Sequence, residues 1–445
     1  MGNVQGGRKK DTSYRKTFVL RQQTPMIHFQ YADRGAVIRA SEFKPKLDKF
    51  LVKKKGGENH MPGSWLLEQT DENKPAALNY KVRIWTAGKT EVSQMTEYTK
   101  EFNNLKELHH GTKNIPDDKK NNLKKKYPKA QINGMYFGNM GNDTTTYKET
   151  IFYTEDIYVE IQCFVTGLLA YISDNMAEFM LVTNFGTRQS KGFGSFTLMD
   201  DTIDPCNILS YNHYEYIYGI VKDDKKGVNH RDKMLNVAAG IYAVMKGGIN
   251  RSYNRETRQY DNGKYIKGYI QRRYMDKCGK EKTGSDKAFM KSKIITAQNP
   301  RWIEKRNDNY ESYPEFEYVR ALLGTADHID FRDRDKVRNG TVQIKNKDIE
   351  RFGSAIQITV WGNYIFLIMK DEEYIKNILD KEFTFSYMDN SKKIIKDRIK
   401  TPAQFDAGSF LKGFVAYYNE ERRKLSNLNF RDAANVELKM GGSGL

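Results

Sequence analysis

An α+β fold in two domains is what the sequence predicts, and three observations predict it. Residues 17 to about 200 run strand, helix, strand, strand, helix, strand. A second, weaker pass begins near Tyr211, and much of the positive charge lies in stretches without apolar periodicity. The 445 residues are about three times the ~150 typical of one domain, so two cores with insertions are expected.

The first strand is Thr17 to Leu20, running through Gln23 to Thr24 and Pro25, where the missing amide donor of proline ends the pairing. Phe43, Leu47, Phe50 and Leu51 then give one helical face, with Ser41 placed as an N-cap. Tyr80, Val82 and Ile84 alternate with Lys81 and Arg83 as a half-buried strand does. Residues 87–150 lose periodicity and gain Asn, Gly, Thr and Lys, which reads as a surface insertion. Ile157, Val159, Ile161, Cys163 and Val165 alternate again, a helix follows over 167–182, and the glycine-rich loop NFGTRQSKGFGSF leads into a strand over 196–199. This β-α-β-β-α-β order is the ferredoxin-like pattern.

In the second pass Tyr214, Tyr216, Tyr218 and Ile220 alternate, and residues 234–245 read as a helix closed by Gly247 and Gly248. Residues 246–306 form a second insertion, with 17 Lys and Arg against 6 Asp and Glu. Beyond it, 314–323 reads as a helix. Residues 341–344 and 355–360 read as strands, Trp361-Gly362-Asn363 turns the chain into 364–369, and Phe383, Phe385 and Tyr387 suggest another strand. The expected domains are 17–205 and 206–430, with 431–445 as a tail whose GGSGL ending is linker-like.

The net charge of +18 and pI of about 9.4 call for anionic partners, while 38% hydrophobic and 12% aromatic residues exclude a disordered polycation. No apolar run approaches the ~18 residues that span a bilayer, and no export signal is visible, so no membrane partner is expected. Cys163, Cys206 and Cys278 are odd in number and widely spaced, which argues against disulfides and structural zinc and for a reducing cytoplasm.

In the glycine-rich loop, Gly186, Gly192 and Gly194 permit positive φ and close backbone approach, while Arg188 and Lys191 supply phosphate-directed charge. It is neither a Walker loop nor a Rossmann fingerprint, so no nucleotide cofactor is expected. Thr24-Pro25-Met26-Ile27-His28, then Ile38-Arg39-Ala40-Ser41-Glu42-Phe43-Lys44, then the loop ending Gly192-Phe193-Gly194-Ser195 stand in an order that one family uses. On these segments, over residues 17 to 200, the chain resembles the RAMP superfamily of CRISPR-associated proteins. It is most similar to the tandem-domain head subunit of the type III-B (Cmr) RNA-guided effector complex. The resemblance implies tandem ferredoxin-like (RRM-like) domains with large basic insertions, the second degenerate because no second GFGS occurs. It also implies guide (CRISPR) RNA binding near the guide's 3′ end, capture of single-stranded target RNA, and other RAMP subunits as partners. Arg39, Lys44, Arg188, Lys191, Gly192, Phe193, Gly194 and Ser195 are the RNA-binding candidates of this region.

The second insertion supports RNA independently. Arg251, Arg255, Arg258, Lys264, Lys267, Arg272 and Arg273 interleave with Tyr253, Tyr260, Tyr265, Tyr269 and Tyr274, combining phosphate neutralisation with stacking surfaces. The alternative is a solvated basic surface whose tyrosines pack locally.

A non-catalytic subunit is the leading expectation, and a ribonuclease is the competing one. His28, after the first strand, could move a proton at a guide-precursor phosphate. Asp33 lies in the loop where, by the resemblance, the backbone nuclease subunits carry their cleaving Asp. Neither has a partner residue nearby in sequence. His109-His110 lacks metal-ligand spacing and no nucleophile motif is present, so no metal or cofactor is expected.

Overall fold

The computed structural model describes residues 11–27, 38–68, 75–86, 90–92, 95–111, 114–127, 150–153, 156–222, 230–249, 252–254, 259–261, 265–271, 283–295, 313–331, 340–388, 394–427 and 430–442. The protein is mixed α+β, with several antiparallel sheets. It divides into two compact units, one of residues 1–213, 220–239 and 358–366, the other of 214–219, 240–357 and 367–445.

The first unit holds β1 (Arg15–Gln22), α1 (Ala40–Lys54), β2 (Lys81–Thr86), β3 (Ile157–Gln162), α2 (Leu168–Val182) and β4 (Phe196–Leu198). They form a four-stranded antiparallel sheet in the order β2-β3-β1-β4, with Phe18 opposite Val159, Ile84 opposite Val159 and Leu20 opposite Leu198. Residues directly opposite share a face. Phe18, Leu20, Ile157, Val159 and Ile161 are therefore one face, all buried, while Arg15, Arg21, Arg83, Tyr158 and Trp85 stand on the other. Against the buried face α1 brings Phe43, Leu47 and Leu51, and α2 brings Ile172, Met176 and Phe179. Phe43 meets Phe179 edge-on at 5.3 Å and stacks with Phe185 at 5.6 Å.

α1 begins at Ala40, with Arg39 as an N-cap that makes no side-chain cap bond, so Ser41 lies inside the first turn and is not the predicted cap. The insertion before residue 150 contains two helices, Met95–Leu108 and Asp117–Lys126, which pack together, and Glu101 accepts from Lys126. The lysine-rich sequence of Asp117–Lys126 carries a weak apolar stripe, which hid it from periodicity, whereas Met95, Tyr98, Phe102, Leu105 and Leu108 stand at a helical spacing that the reading of 87–150 as an insertion passed over.

The second strand-and-helix series is β5 (Tyr216–Ile220), α3 (His230–Tyr242), β6 (Ile356–Trp361), β7 (Tyr364–Met369), α4 (Ala407–Glu421) and β8 (Leu438–Met440). Its sheet order is β6-β7-β5-β8. The Met369 amide donates to Glu215 at 2.8 Å, the Val221 amide to Asn363 at 2.9 Å, and Leu438 stands opposite Gly219. Gly362 turns β6 into β7 at φ +56°, as the sequence predicted. The link from α4 to β8 contains no glycine; it is a 3₁₀ turn, Arg422–Asn427, and a short helix, Arg431–Ala434.

A six-stranded sheet lies within the second unit, in the order Thr283–Ser285, Glu315–Glu317, Ile394–Lys400, Glu382–Met388, Gly340–Lys345, His328–Phe331. Residues 314–323 are therefore not the predicted helix. Glu315–Glu317 is a strand and Val319–Leu322 a 3₁₀ turn, because Tyr318 is drawn into the core edge-on to Phe383 and Phe385, both at 5.2 Å.

Among the described residues no helix is long and apolar enough to cross a membrane. No group of three His, Cys, Asp or Glu there could hold a metal ion.

Candidate nucleic-acid interface

The glycine-rich loop and the Thr-Pro segment, 160 residues apart in sequence, are one structure. The Thr24 hydroxyl donates to the Gly192 carbonyl at 2.6 Å and accepts from the Ser195 amide at 3.0 Å. The Gly194 amide donates to Pro25 at 2.8 Å, the Gln23 amide to Ser195 at 2.9 Å, and the Thr187 amide to Ile27 at 2.8 Å. Such close approach explains the glycines. A Cβ on Gly194 would sit 1.9 Å from the Phe185 carbonyl oxygen, and one on Gly186 2.5 Å from that of Ile27.

Asn184 organises the loop from beneath. It is wholly buried, and its amide donates to the carbonyls of Gln189 and Ile358, each at 2.7 Å, while its oxygen accepts from Ser195 at 3.0 Å. The Ser195 hydroxyl in turn accepts from the Val360 amide at 3.2 Å. Glu42 on α1 accepts from the Gly186 amide at 2.9 Å and from Lys46 at 2.7 Å, and Lys46 donates to the Asn184 carbonyl at 2.9 Å. Burial holds the Lys46 ammonium below the usual lysine range, and Glu42 partly offsets this.

The candidates of the first unit therefore separate. Gly192, Phe193, Gly194 and Ser195 are buried and tie the loop to the body of the unit. Arg188 and Lys191 are half-buried at its outer part, where Arg188 takes φ +58°, unusual for a residue with a Cβ. Arg39 is half-buried at the start of α1. Lys44 is engaged within the unit: it donates to Asp48 at 2.6 Å and to the Leu78 carbonyl at 2.9 Å, and lies 4.3 Å from the Tyr80 ring.

Of the second cluster, Lys267 is exposed on the short strand Ile266–Lys267. Tyr269 is fully buried against Phe410, Phe414 and Tyr417 at 5.1–5.6 Å, which is core packing and not a stacking surface. Arg251, Arg255, Arg258, Lys264, Arg272 and Arg273 lie outside the described residues, as do His28 and Asp33.

Sequence reasoning missed Asn184, Glu42, Lys46 and the strand residues 358–360. The first three stand beside motif positions, but nothing in the sequence places Ile358 and Val360 next to residues 184–195.

The chain is similar to the crystal structure of Cmr1 from Pyrococcus furiosus in its apo form, with 8% identity and a TM-score of 0.33 over 80% of this chain and 88% of that one. No curated protein matches. The Cmr1 N-terminal domain matches residues 13–249 and the Cmr1 C-terminal domain residues 265–435, so the chain belongs to the Cmr1 family and is a subunit of the type III-B Cmr effector complex.

Proposed function

We propose that this subunit binds the guide RNA near its 3′ end and helps to capture single-stranded target RNA without cleaving it. The observation that carries the RNA reading is the locked loop, whose buried GFGS segment fixes a backbone that holds Arg188 and Lys191 at its outer part. A preorganised loop loses little entropy on meeting phosphate, and the rest of the +18 charge strengthens a sequence-independent contact. The scaffold is read as two tandem ferredoxin-like domains, supported by a shared second-third-first-fourth strand order in both four-stranded sheets.

Guide-RNA affinity of the full chain is expected to fall log-linearly with salt, at a slope of about −0.7 per phosphate contact. Replacing Arg188 and Lys191 together with Glu should flatten that slope by about 1.4, two contacts' worth. Affinity should drop by about a hundredfold or more, at roughly 1.5–3 kcal/mol per charged hydrogen bond. Filter binding across a salt series measures both, and a salt-independent affinity would point to a protein scaffold instead.

His28→Ala and Asp33→Ala are expected to leave target cleavage by the assembled complex unchanged. A loss of cleavage rate in either variant, with RNA affinity retained, would make this subunit the ribonuclease, acting on guide precursor through His28 or on target through Asp33.

A further inference from the structure

We propose that the ring pairs at the two ends of β3 are a second RNA contact, a platform on which unpaired bases stack. The helices cover one face of the β2-β3-β1-β4 sheet; the other has Thr17 and Glu160 buried at its centre and carries an aromatic pair at one end of β3, and a second pair lies just past the other end. At one end Trp85 and Tyr158, directly opposite each other in register, stack at 5.5 Å with their planes 16° apart, both half-exposed, and the Arg83 guanidinium lies 5.6 Å from the Trp85 ring. Just past the other end Phe164 is 82% exposed and stacks on Tyr14, itself 43% exposed, at 5.3 Å and 16°. Tyr158 and Phe164 are six residues apart, at most about 20 Å at ~3.3 Å per residue, room for several nucleotides.

Large exposed rings already held parallel in pairs are unusual on a soluble surface, where a Phe normally finds cover. A flat π-face with cations beside it suits a nucleobase and its phosphate. Exposed Lys81 and Arg83 line the β2 edge, and Arg15 and Arg21 stand on β1. The carboxylates on this face are spoken for: Asp156 accepts from Arg21 at 3.2 Å, and Glu160, buried in the centre, accepts from Gln162 at 2.8 Å and lies 3.9 Å from Arg15. Four cations against two carboxylates favour a polyanion, and the rings favour a single strand over a duplex, whose bases are already stacked.

The platform rests on the RNA-binding reading above, and one experiment separates the two. The full chain is titrated into a fluorescein-labelled, unstructured single-stranded RNA and into its abasic counterpart, which keeps the phosphates and loses the bases. The wild type should bind the intact RNA about tenfold more tightly. Phe164→Ala, safe for folding because the ring is so exposed, and Trp85→Leu should each lose most of that preference while leaving abasic affinity unchanged. Phe164→Trp and Trp85→Phe should keep it. Equal affinity of the wild type for both RNAs, or a Phe164→Ala variant within about twofold of wild type on intact RNA, overturns the platform. So does a Phe164→Ala variant that weakens only association with a neighbouring subunit, which would make the patch a protein interface. If Arg188→Glu with Lys191→Glu binds as wild type while Phe164→Ala does not, the loop reading fails and the platform stands. If the wild type binds neither RNA, both fall.

Discussion

Gly194→Ala should leave the chain largely unfolded. Gly194 is buried at φ +68°, and an added Cβ would lie 1.9 Å from the Phe185 carbonyl oxygen and 2.8 Å from its carbon. Neither side can yield cheaply, because the Gly194 carbonyl accepts from the Phe185 amide at 2.9 Å and its own amide is held by Pro25. Overpacking against fixed backbone, added to a left-handed conformation, costs on the order of 4 kcal/mol or more. That approaches the lower end of the ~5–15 kcal/mol by which native proteins are stable. Gly362→Ala is the matched comparison: φ is +56°, but nothing lies within 4 Å of its Cβ position, so only the conformational cost of about 1 kcal/mol remains. Urea midpoints measure both, and equal losses in the two variants would sink the argument.

Asp286→Asn is expected to destabilise the second unit by about 3–5 kcal/mol, because it leaves a guanidinium with no counter-charge in a largely buried site. Asp286 has no exposed surface and accepts from the Arg320 Nε at 2.6 Å, with the Arg320 Nη2 at 2.5 Å and the Arg320 amide at 3.5 Å. Burial, reinforced by this carboxylate, also pushes the neighbouring Tyr318 hydroxyl far above the usual tyrosine range. Replacing both partners by apolar residues, Asp286→Leu with Arg320→Met, should recover most of the loss, since no charge then remains to desolvate. Thermal and urea denaturation of the single and double variants give the two values. A double variant no better than Asp286→Asn would show that the pair is held by shape and not by charge.

Much of the first unit was legible because its strands bury one face only. Ile157, Val159 and Ile161 alternate with Tyr158 and Glu160, and the Phe43-Leu47-Leu51 spacing matches the face that α1 turns to the sheet. The hairpin through Gly362 was legible for a local reason, a turn between two apolar runs. Legibility failed where the apolar stripe is weak, as in Asp117–Lys126, and where a distant neighbour decides the conformation. Residues 314–323 have a composition that a helix would accept, yet Phe383 and Phe385 claim Tyr318 and leave a strand and a single 3₁₀ turn.

The loop divides in the same way. The glycines, Arg188 and Lys191 were visible as a pattern that can cradle phosphate, and Thr24-Pro25 as a companion segment. What the pattern could not say is that GFGS faces inward. Asn184, Thr24 and Ser195 exchange hydrogen bonds that only the folded sheet brings within 3 Å, and these leave the outer residues 186–191 half-buried. Tyr269 shows the converse, a ring that composition offers to bases and that packing places in the core. By itself the sequence determined the α+β class, the order of the first six elements and the positive charge, all properties of local period and composition, and it carried the motifs whose resemblance points to the type III-B head subunit. The tertiary structure alone decided which glycines are structural, which cations lie near the surface and which rings stay exposed. Burial is a property of neighbours far apart in the chain, and no local pattern records it.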